Sequence, residues 1–239
     1  MDAPELSVVV LAYRSAETIE SFVNSLIDSL EKEKLLWEIV LVGNYFEGIG
    51  DQTPDVVKKI AEENPRIKAV AEIKKGMMGW DMKTGLEATT GQVLAVIDGD
   101  GQMPSEDVVR VYQLLKSNHL DLAKTFRKKR NDGSYRRLIS VVYNILFKLL
   151  FPGINSWDMN SKPKVFTRDF YDKISLESNG WFIDAEIMIL ARRLNAKIGE
   201  LETVFHSMDT RPSFVKPLSI LEFLGNLFTY RIKEFIAKK

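Results

Sequence analysis

No cysteine occurs in the 239 residues, which excludes disulfides and thiolate metal sites and fits a reducing compartment. Nor is charge of one sign in excess: 33 Lys and Arg are balanced by 33 Asp and Glu. A formal net charge of zero argues against nucleic acid as a partner, since that partner requires a basic surface. No uninterrupted apolar run reaches the ~18 residues of an ordinary membrane span. The opening Met1-Asp2-Ala3-Pro4-Glu5-Leu6 lacks the basic region and cleavage site of a secretory signal. What is present is a hydrophobic content of 45%, enough for a sizeable core, in a length that suits one large domain or a domain with an appendage.

Apolar runs at Leu6–Leu11, Trp37–Val42, Ile67–Ile73, Val93–Ile97 and Leu120–Phe126 read as strands. Between them Ile19, Phe22, Val23, Leu26, Ile27 and Leu30 repeat at helical spacing. Asp55–Asn64, Met82–Thr89 and Asp107–Ser117 also read as helices. This alternation predicts an α/β fold, a mostly parallel sheet with helices on both faces. After residue 126 the texture changes. Lys124–Arg137 holds seven Lys or Arg and one acid, Asp132. Leu138–Phe151 is strongly apolar, broken by Asn144 and Lys148. Loop, strand and helix patterns return in Trp157–Thr167 and Trp181–Leu194, and Ala196–Phe205 suggests one more strand. The division expected is a main domain over 1–216 and an amphipathic helical tail over 217–239, with Ser219, Glu222, Asn226, Thr229 and Lys233 near one face.

The segment richest in chemistry follows the run Val93–Ile97: Asp98-Gly99-Asp100-Gly101-Gln102. Ligands of α/β sheets bind where such a strand ends. Asp98, Asp100 and Gln102 carry oxygens at alternate positions that suit one hard cation, Mg²⁺ or Mn²⁺, which in turn grips a diphosphate. An acidic turn is the plain alternative, because Asp-Gly is common in turns. An EF-hand is excluded by Met103 at its sixth position and by the missing Glu at its twelfth.

These landmarks together resemble the family 2 glycosyltransferases, whose catalytic domain has the GT-A fold, and among them the polyprenyl-phosphate sugar transferases of the dolichol-phosphate mannose synthase type. The resemblance covers roughly residues 6–216. Val8-Val9-Val10-Leu11-Ala12-Tyr13 with Glu17 is similar to the family opening that lines the nucleotide pocket. Lys75-Gly76, Gly79, Lys83, Gly85, Ala88 and Gly91 resemble its Gly-rich segment. Asp98-Gly99-Asp100-Gly101-Gln102-Met103-Pro104 matches its Asp-x-Asp-x-Gln-x-Pro metal motif. Arg136, Ser140 and Asn144 have the spacing of its lipid-phosphate element. Arg211, Ser213 and Lys216 resemble a late basic loop that closes over the donor diphosphate. Two segments depart from the pattern. Where the family has Asp-Asp-Gly-Ser after the second strand, this chain reads Gly43-Asn44-Tyr45-Phe46, with Asp51 further along as an acidic substitute. Where it has Asp-x-x-Ser-Gly-Phe-Arg, Asp158 is followed by Asn160-Ser161-Lys162-Pro163-Lys164.

The resemblance implies a metal-dependent, inverting transferase that moves a sugar from a GDP- or UDP-linked donor to a polyprenyl phosphate. In that reading Asp98, Asp100 and Gln102 hold the metal, a Lewis acid on the diphosphate. Ala12, Tyr13, Glu17, Asn44 and Lys75 line the donor site, and Arg211 and Lys216 add positive charge. Arg127, Arg136, Ser140 and Asn144 serve the acceptor phosphate, which is already anionic and needs cations rather than a strong base. A hydroxyl acceptor, as in glycan or surface polysaccharide assembly, would need a carboxylate base instead. Asp184 and Glu186 are its candidates, placed on one side of an extended segment by period-two spacing. A third alternative is a nucleotide-sugar-binding or scaffold protein without turnover. His206 is a conceivable donor ligand, and Trp80, Trp157 and Trp181 could stack on sugar or base. Leu138–Phe151 and Leu218–Ile236 read as interfacial helices flanked by basic residues. Together these features predict a cytoplasmic protein, peripheral on the cytoplasmic face of a membrane. The tail helix is an alternative seat for a homo-oligomer contact.

Overall fold

The computed structural model describes residues 3–130, 134–154, 156–206 and 218–237, with side chains except those of 129–130, 134–139, 218–221 and 237. In chain order the elements are β1 (Leu6–Leu11), α1 (Ile19–Lys32), β2 (Trp37–Val42), α2 (Thr53–Glu63), β3 (Ile67–Val70), α3 (Met78–Glu87), β4 (Val93–Asp98), α4 (Asp107–Ser117), β5 (Leu122–Arg130), α5 (Ser134–Leu150), β6 (Lys164–Thr167), α6 (Arg168–Tyr171), α7 (Ile183–Arg193), β7 (Ile198–Phe205) and α8 (Leu218–Ala237).

Seven strands form one sheet in the order β3-β2-β1-β4-β6-β5-β7. All neighbours are parallel except β6, which runs antiparallel to both β4 and β5. Every residue of β1 and β2 is buried, as expected of parallel strands covered on both faces. Alternate residues feed two cores. Leu6, Val8 and Val10 point into one, packed with Phe22 and Leu26 of α1, Val57 of α2 and Val111 and Leu115 of α4. Val9 and Leu11 point into the other, with Met82 and Leu86 of α3, Phe147 of α5, Ile187 of α7 and Leu227 of α8. The predicted α/β architecture with helices on both faces is therefore present.

Several boundaries differ from the sequence reading. Strand β3 stops at Val70, and its expected continuation to Ile73 survives as a single bridge between Tyr45 and Ile73. Helix α3 begins at Met78, four residues early, because Gly79 lets its first turn lie against the 178–180 loop. A Cβ at Gly79 would collide with the carbonyls of Ser178 and Gly180, and the Gly79 N–H donates to Gly180 O at 2.8 Å. The largest correction concerns Ile183–Arg193, which is a helix and not an extended segment. Positions two apart on a helix point about 200° apart, so Asp184 and Glu186 do not share a side.

Candidate active site

The chain runs from β1 outward to β3 and returns to β4 beside β1, so the strand order reverses between β1 and β4. A crevice opens at such a switch point, beyond the carboxyl ends of the strands. Leu11 pairs in register with Asp98, which sets the loop after β1 directly beside the metal motif.

On the motif side, the Asp100 carboxylate accepts from Gln102 N at 3.0 Å, and Gly101 takes φ +77°, a conformation that disfavours any residue with a Cβ. The tip is tied to the end of β7: His206 N donates to Gln102 O at 2.9 Å, and Gln102 Nε2 to His206 O at 3.3 Å. Orienting the amide nitrogen toward His206 leaves Gln102 Oε1 as an acceptor. This donor set is all oxygen and fits a hard divalent cation. It has one unusual feature: Asp98 already holds the ammonium of Lys162 at 3.1 Å.

The nucleotide side is built from the loops after β1 and β2. Tyr13 meets Phe46 edge-on at 6.3 Å, and Lys74 Nζ stands 4.3 Å over the Tyr13 ring. Lys74 is buried and paired with Asp81. Burial pulls the Lys74 pKa down, against the opposing pull of Asp81, and burial raises that of Asp81. Asp51 Oδ1 accepts from Thr53 N at 3.0 Å, while its Oδ2 is buried without a hydrogen-bond partner. A buried carboxylate oxygen with no donor is an acceptor set aside for a ligand or water.

Asn44 does a different job from the one expected. It is fully buried, its Nδ2 donates to Thr84 Oγ1 at 2.9 Å, and its Oδ1 accepts from Glu72 N at 2.8 Å. It ties β2 to α3 and to the segment after β3 and presents no open amide to a base. Ala12 is likewise buried, with its N–H on Val42 O, so it contributes backbone shape only. Glu17 is exposed in the turn before α1. Lys75 is exposed over Trp80 at 5.4 Å, and its neighbour Lys74 is the lysine that enters the pocket.

The other half of the crevice is a set of buried ion pairs. Lys162 bridges Asp98 and Asp184, and Lys164 Nζ lies 2.6 Å from Asp184 and donates to Ser161 O at 3.0 Å. Burial opposes the charge of Asp184, yet Lys162 and Lys164 outweigh it and hold the carboxyl below its ordinary value. Burial pushes Lys164 down to about 8. Burial also opposes the charge of Lys162, but Asp184 and Asp98 outweigh it and hold its pKa above the ordinary value. Both Asp184 oxygens are thus engaged by ammonium groups. Glu186 accepts from Glu177 N at 2.8 Å, Ser178 N at 2.9 Å and the Tyr230 hydroxyl, and so fixes the 177–178 loop. Lys124 Nζ lies 2.8 Å from Glu200, and Arg127 grips Asp158 with two bonds of 2.6 and 2.9 Å. Asn144 donates to Ser140 O at 2.8 Å and accepts from Met159 N at 3.1 Å, which anchors the Asp158 loop to α5.

Arg136 lies on α5, its side chain outside the described residues, as are Arg211, Ser213 and Lys216 altogether. Trp157 is exposed, with Lys148 Nζ 5.0 Å from its ring, and Trp181 is half-buried with its N–H on Glu222 at 3.0 Å. Sequence reasoning missed Lys74, Asp81, Lys162 and Lys164. A lysine within a strand or loop reads as exposed, and nothing local in the sequence signals its buried partner. A cavity of about 640 Å³ at the opposite end of the sheet, lined by Pro152, Ile154, Arg192, Arg193 and Glu234, does not touch this crevice.

Comparison with known proteins identifies the family and the fold. The chain is 25% identical over 223 residues to Glycosyltransferase AglD of Haloferax volcanii, covering 90% of this chain and 35% of that one. It is 27% identical over 223 residues to the dolichyl-phosphate beta-glucosyltransferase ALG5A of Trichomonas vaginalis, covering 85% of this chain and 66% of the other. The chain thus spans between about a third and two thirds of the length of these relatives. Its fold is shared with mannosyl-3-phosphoglycerate synthase from Rubrobacter xylanophilus, at TM-score 0.73 and 17% identity over 97% of this chain and 74% of that one. It is shared also with glucosyl-3-phosphoglycerate synthase from Mycobacterium tuberculosis, solved with uridine diphosphate, at TM-score 0.71 and 20% identity over 95% and 80%. The family model for glycosyl transferase family 2 matches residues 7–175, and the chain belongs to that family.

Proposed function

We propose that this protein is a metal-dependent, inverting glycosyltransferase that moves a sugar from a nucleotide diphosphate donor to a polyprenyl phosphate. The observation that carries the reading is that Asp98, Asp100 and Gln102 follow the carboxyl end of β4 at the strand-order switch, in register with the end of β1, whose following loop carries Tyr13 under Lys74. The names of the relatives support the acceptor: ALG5A is a dolichyl-phosphate glucosyltransferase, and a Rhizobium johnstonii relative, 23% identical over 208 residues, is a dodecaprenyl-phosphate galacturonate synthase. A structural neighbour solved with Mn²⁺ and UDP-glucose supports a divalent ion and a nucleotide-sugar donor, which we read as Mg²⁺ or Mn²⁺ and as UDP- or GDP-linked.

A divalent cation held by Asp98, Asp100 and Gln102 supplies neutralisation of the leaving diphosphate. The residues of the chain do the rest. Tyr13 and Phe46 offer aromatic surface to the base, and Asp51 Oδ2 accepts from a ribose hydroxyl or base N–H, in place of the acid missing at Asn44. An acceptor phosphate oxygen attacks the anomeric carbon from the face opposite the diphosphate, forming the new C–O bond as the old one breaks. That oxygen is already anionic, so no general base is required. Asp184, paired with two lysines, then serves to orient Lys162 and Lys164 and not to take a proton. Arg136 and Ser140, one turn apart on α5, meet the acceptor phosphate. Arg211 and Lys216, outside the described residues, keep the donor-charge role that the resemblance implies.

The acceptor lipid lies in a membrane, and α5 and α8 supply the surface to meet it. Val141, Val142, Ile145 and Leu149 of α5 and Phe228, Ile232, Phe235 and Ile236 of α8 are all exposed, while Lys148 and Lys233 lie among them. The helices touch through Tyr143 and Phe223, with ring centroids 5.4 Å apart. On α8 the polarity is partly inverted: Glu234 is buried against Arg192, Arg193 and Arg231 while Phe228, Ile232, Phe235 and Ile236 face out. Apolar stripes with interspersed lysines suit an anionic lipid surface. No described helix is long and apolar enough to cross a membrane. A screen of UDP- and GDP-sugars by thermal shift with Mn²⁺, followed by turnover on polyprenyl phosphate and on sugar hydroxyls, tests the proposal. Donor stabilisation without turnover on any acceptor would favour the binding or scaffold reading.

A further inference from the structure

Lys162 Nζ lies 3.1 Å from the Asp98 carboxylate, 3.1 Å from Asp184 and 3.1 Å from Met78 Sδ. An ammonium has three N–H donors, and these three partners use them all. The Lys162 side chain is 4% exposed, so its charge is little screened, whereas that of Asp98 is 37% exposed and opens on the motif. Asp98 and Asp184 against Lys162 and Lys164 sum to zero charge. Affinity for a hard cation follows the number of anionic ligands. With Asp98 already matched by an ammonium, the motif offers an incoming ion one carboxylate charge fewer.

We propose that Lys162 is a built-in cation of the donor site. It occupies the Asp98 carboxylate when no donor is bound, so that a divalent ion binds tightly only together with the donor diphosphate. The anionic oxygens of the donor supply the charge that Asp98 has given to Lys162. This inference rests on the reading of the crevice as a donor site. In the donor-bound protein Lys162 is a positioning residue, holding Asp98 from behind against the pull of the diphosphate-bound ion. Asp184 is the fixed counter-charge that keeps the ammonium at that place.

Direct Mn²⁺ binding to the donor-free protein, by electron paramagnetic resonance or calorimetry, tests the inference without any activity assay. Lys162→Gln and Lys162→Met should bind Mn²⁺ at least tenfold more tightly than the wild type, and Lys162→Arg, which keeps the cation, within twofold of it. Lys162→Gln retains hydrogen-bonding capacity at the buried position and carries the comparison if Lys162→Met does not fold. Unchanged Mn²⁺ affinity in folded Lys162→Gln would overturn the inference, as would equal tightening by Lys162→Arg. Adding uridine or guanosine diphosphate should tighten Mn²⁺ binding to the wild type at least tenfold and to Lys162→Gln by much less. Failure of every nucleoside diphosphate to bind would sink the functional reading, while the donor-free Mn²⁺ comparison would still decide the role of Lys162.

Discussion

The two halves of the sheet solve the same problem with different materials. Strands β1, β2 and β4 are packed mostly from Val, Ile and Leu, with Ser7 and Glu38 buried near the starts of β1 and β2, and their polar site residues begin only where the strands end. Strands β5 and β6 place Lys124 and Lys164 in the interior, fully buried, with Glu200 and Asp184 as partners. In the first half, then, the carboxylates of the motif are appended to the ends of apolar strands, and Lys74 with Asp81 is a buried pair beyond them. In the second half the charges of the site are part of the fold. A substitution in the motif loop should cost function and little stability, and one in the buried pairs of the second side should cost stability as well.

Asp100→Ala is the largest expected effect on the first side. It should lower turnover at least a hundredfold and remove metal-dependent donor binding, with unfolding free energy within about 0.5 kcal/mol of wild type. Donor binding that keeps its metal dependence in this variant would remove the motif from the site. Asp184→Ala is the matching test on the second side. It leaves two buried ammonium groups without their carboxylate, and loss of one partner of a buried pair costs about 3–5 kcal/mol. Urea denaturation would show this, and a loss under 1 kcal/mol would contradict the contrast between the halves.

Arg136→Ala should weaken use of a polyprenyl phosphate about tenfold or more while leaving donor affinity unchanged. Equal activity on that acceptor would count against the lipid reading. The same contrast appears in acid. The folded-state pKa of Asp184 is depressed, so its stabilising contribution is complete above the unfolded value of about 4 and is lost as pH falls through the lower folded value. Asp184→Asn should therefore show a flatter stability profile than wild type below about pH 4. The smallest effect on the fold belongs to the outer face: Ile145→Ser and Phe235→Ser should alter stability by no more than about 0.5 kcal/mol. Together they should weaken flotation with anionic vesicles severalfold, whereas a change in oligomeric state with no change in flotation would assign that face to a second copy.

The same division explains what could be read from the sequence. Strands β1 and β2 and helix α4 lie at the residues expected, because uninterrupted apolar runs and a 3.6-residue period leave little choice. The candidate metal motif stood out for a related reason: two carboxylates and an amide alternate directly after an apolar strand, and the structure ends β4 at Asp98 as that run requires. The start of helix α7 was hidden because its first turn carries two acids at period-two spacing and Ile187–Ala191 is apolar all round, which blurs the helical period. Lys162 and Lys164 were invisible as core residues because their partners, Asp98 and Asp184, lie 64 and 20 positions away. Lys75 and Lys74 show the limit at its finest. Adjacent lysines in a loop look alike, and only the fold turns one toward Tyr13 and the other to solvent.

The most direct measurement of the central claim is transfer of labelled sugar from a panel of UDP- and GDP-sugars to polyprenyl phosphate in vesicles, with Mn²⁺ and with chelator. The account predicts an organic-extractable labelled product from the wild type with Mn²⁺ for at least one donor, and none with chelator or from Asp100→Ala. Equal product with chelator, or label transferred only to a sugar hydroxyl, would contradict it.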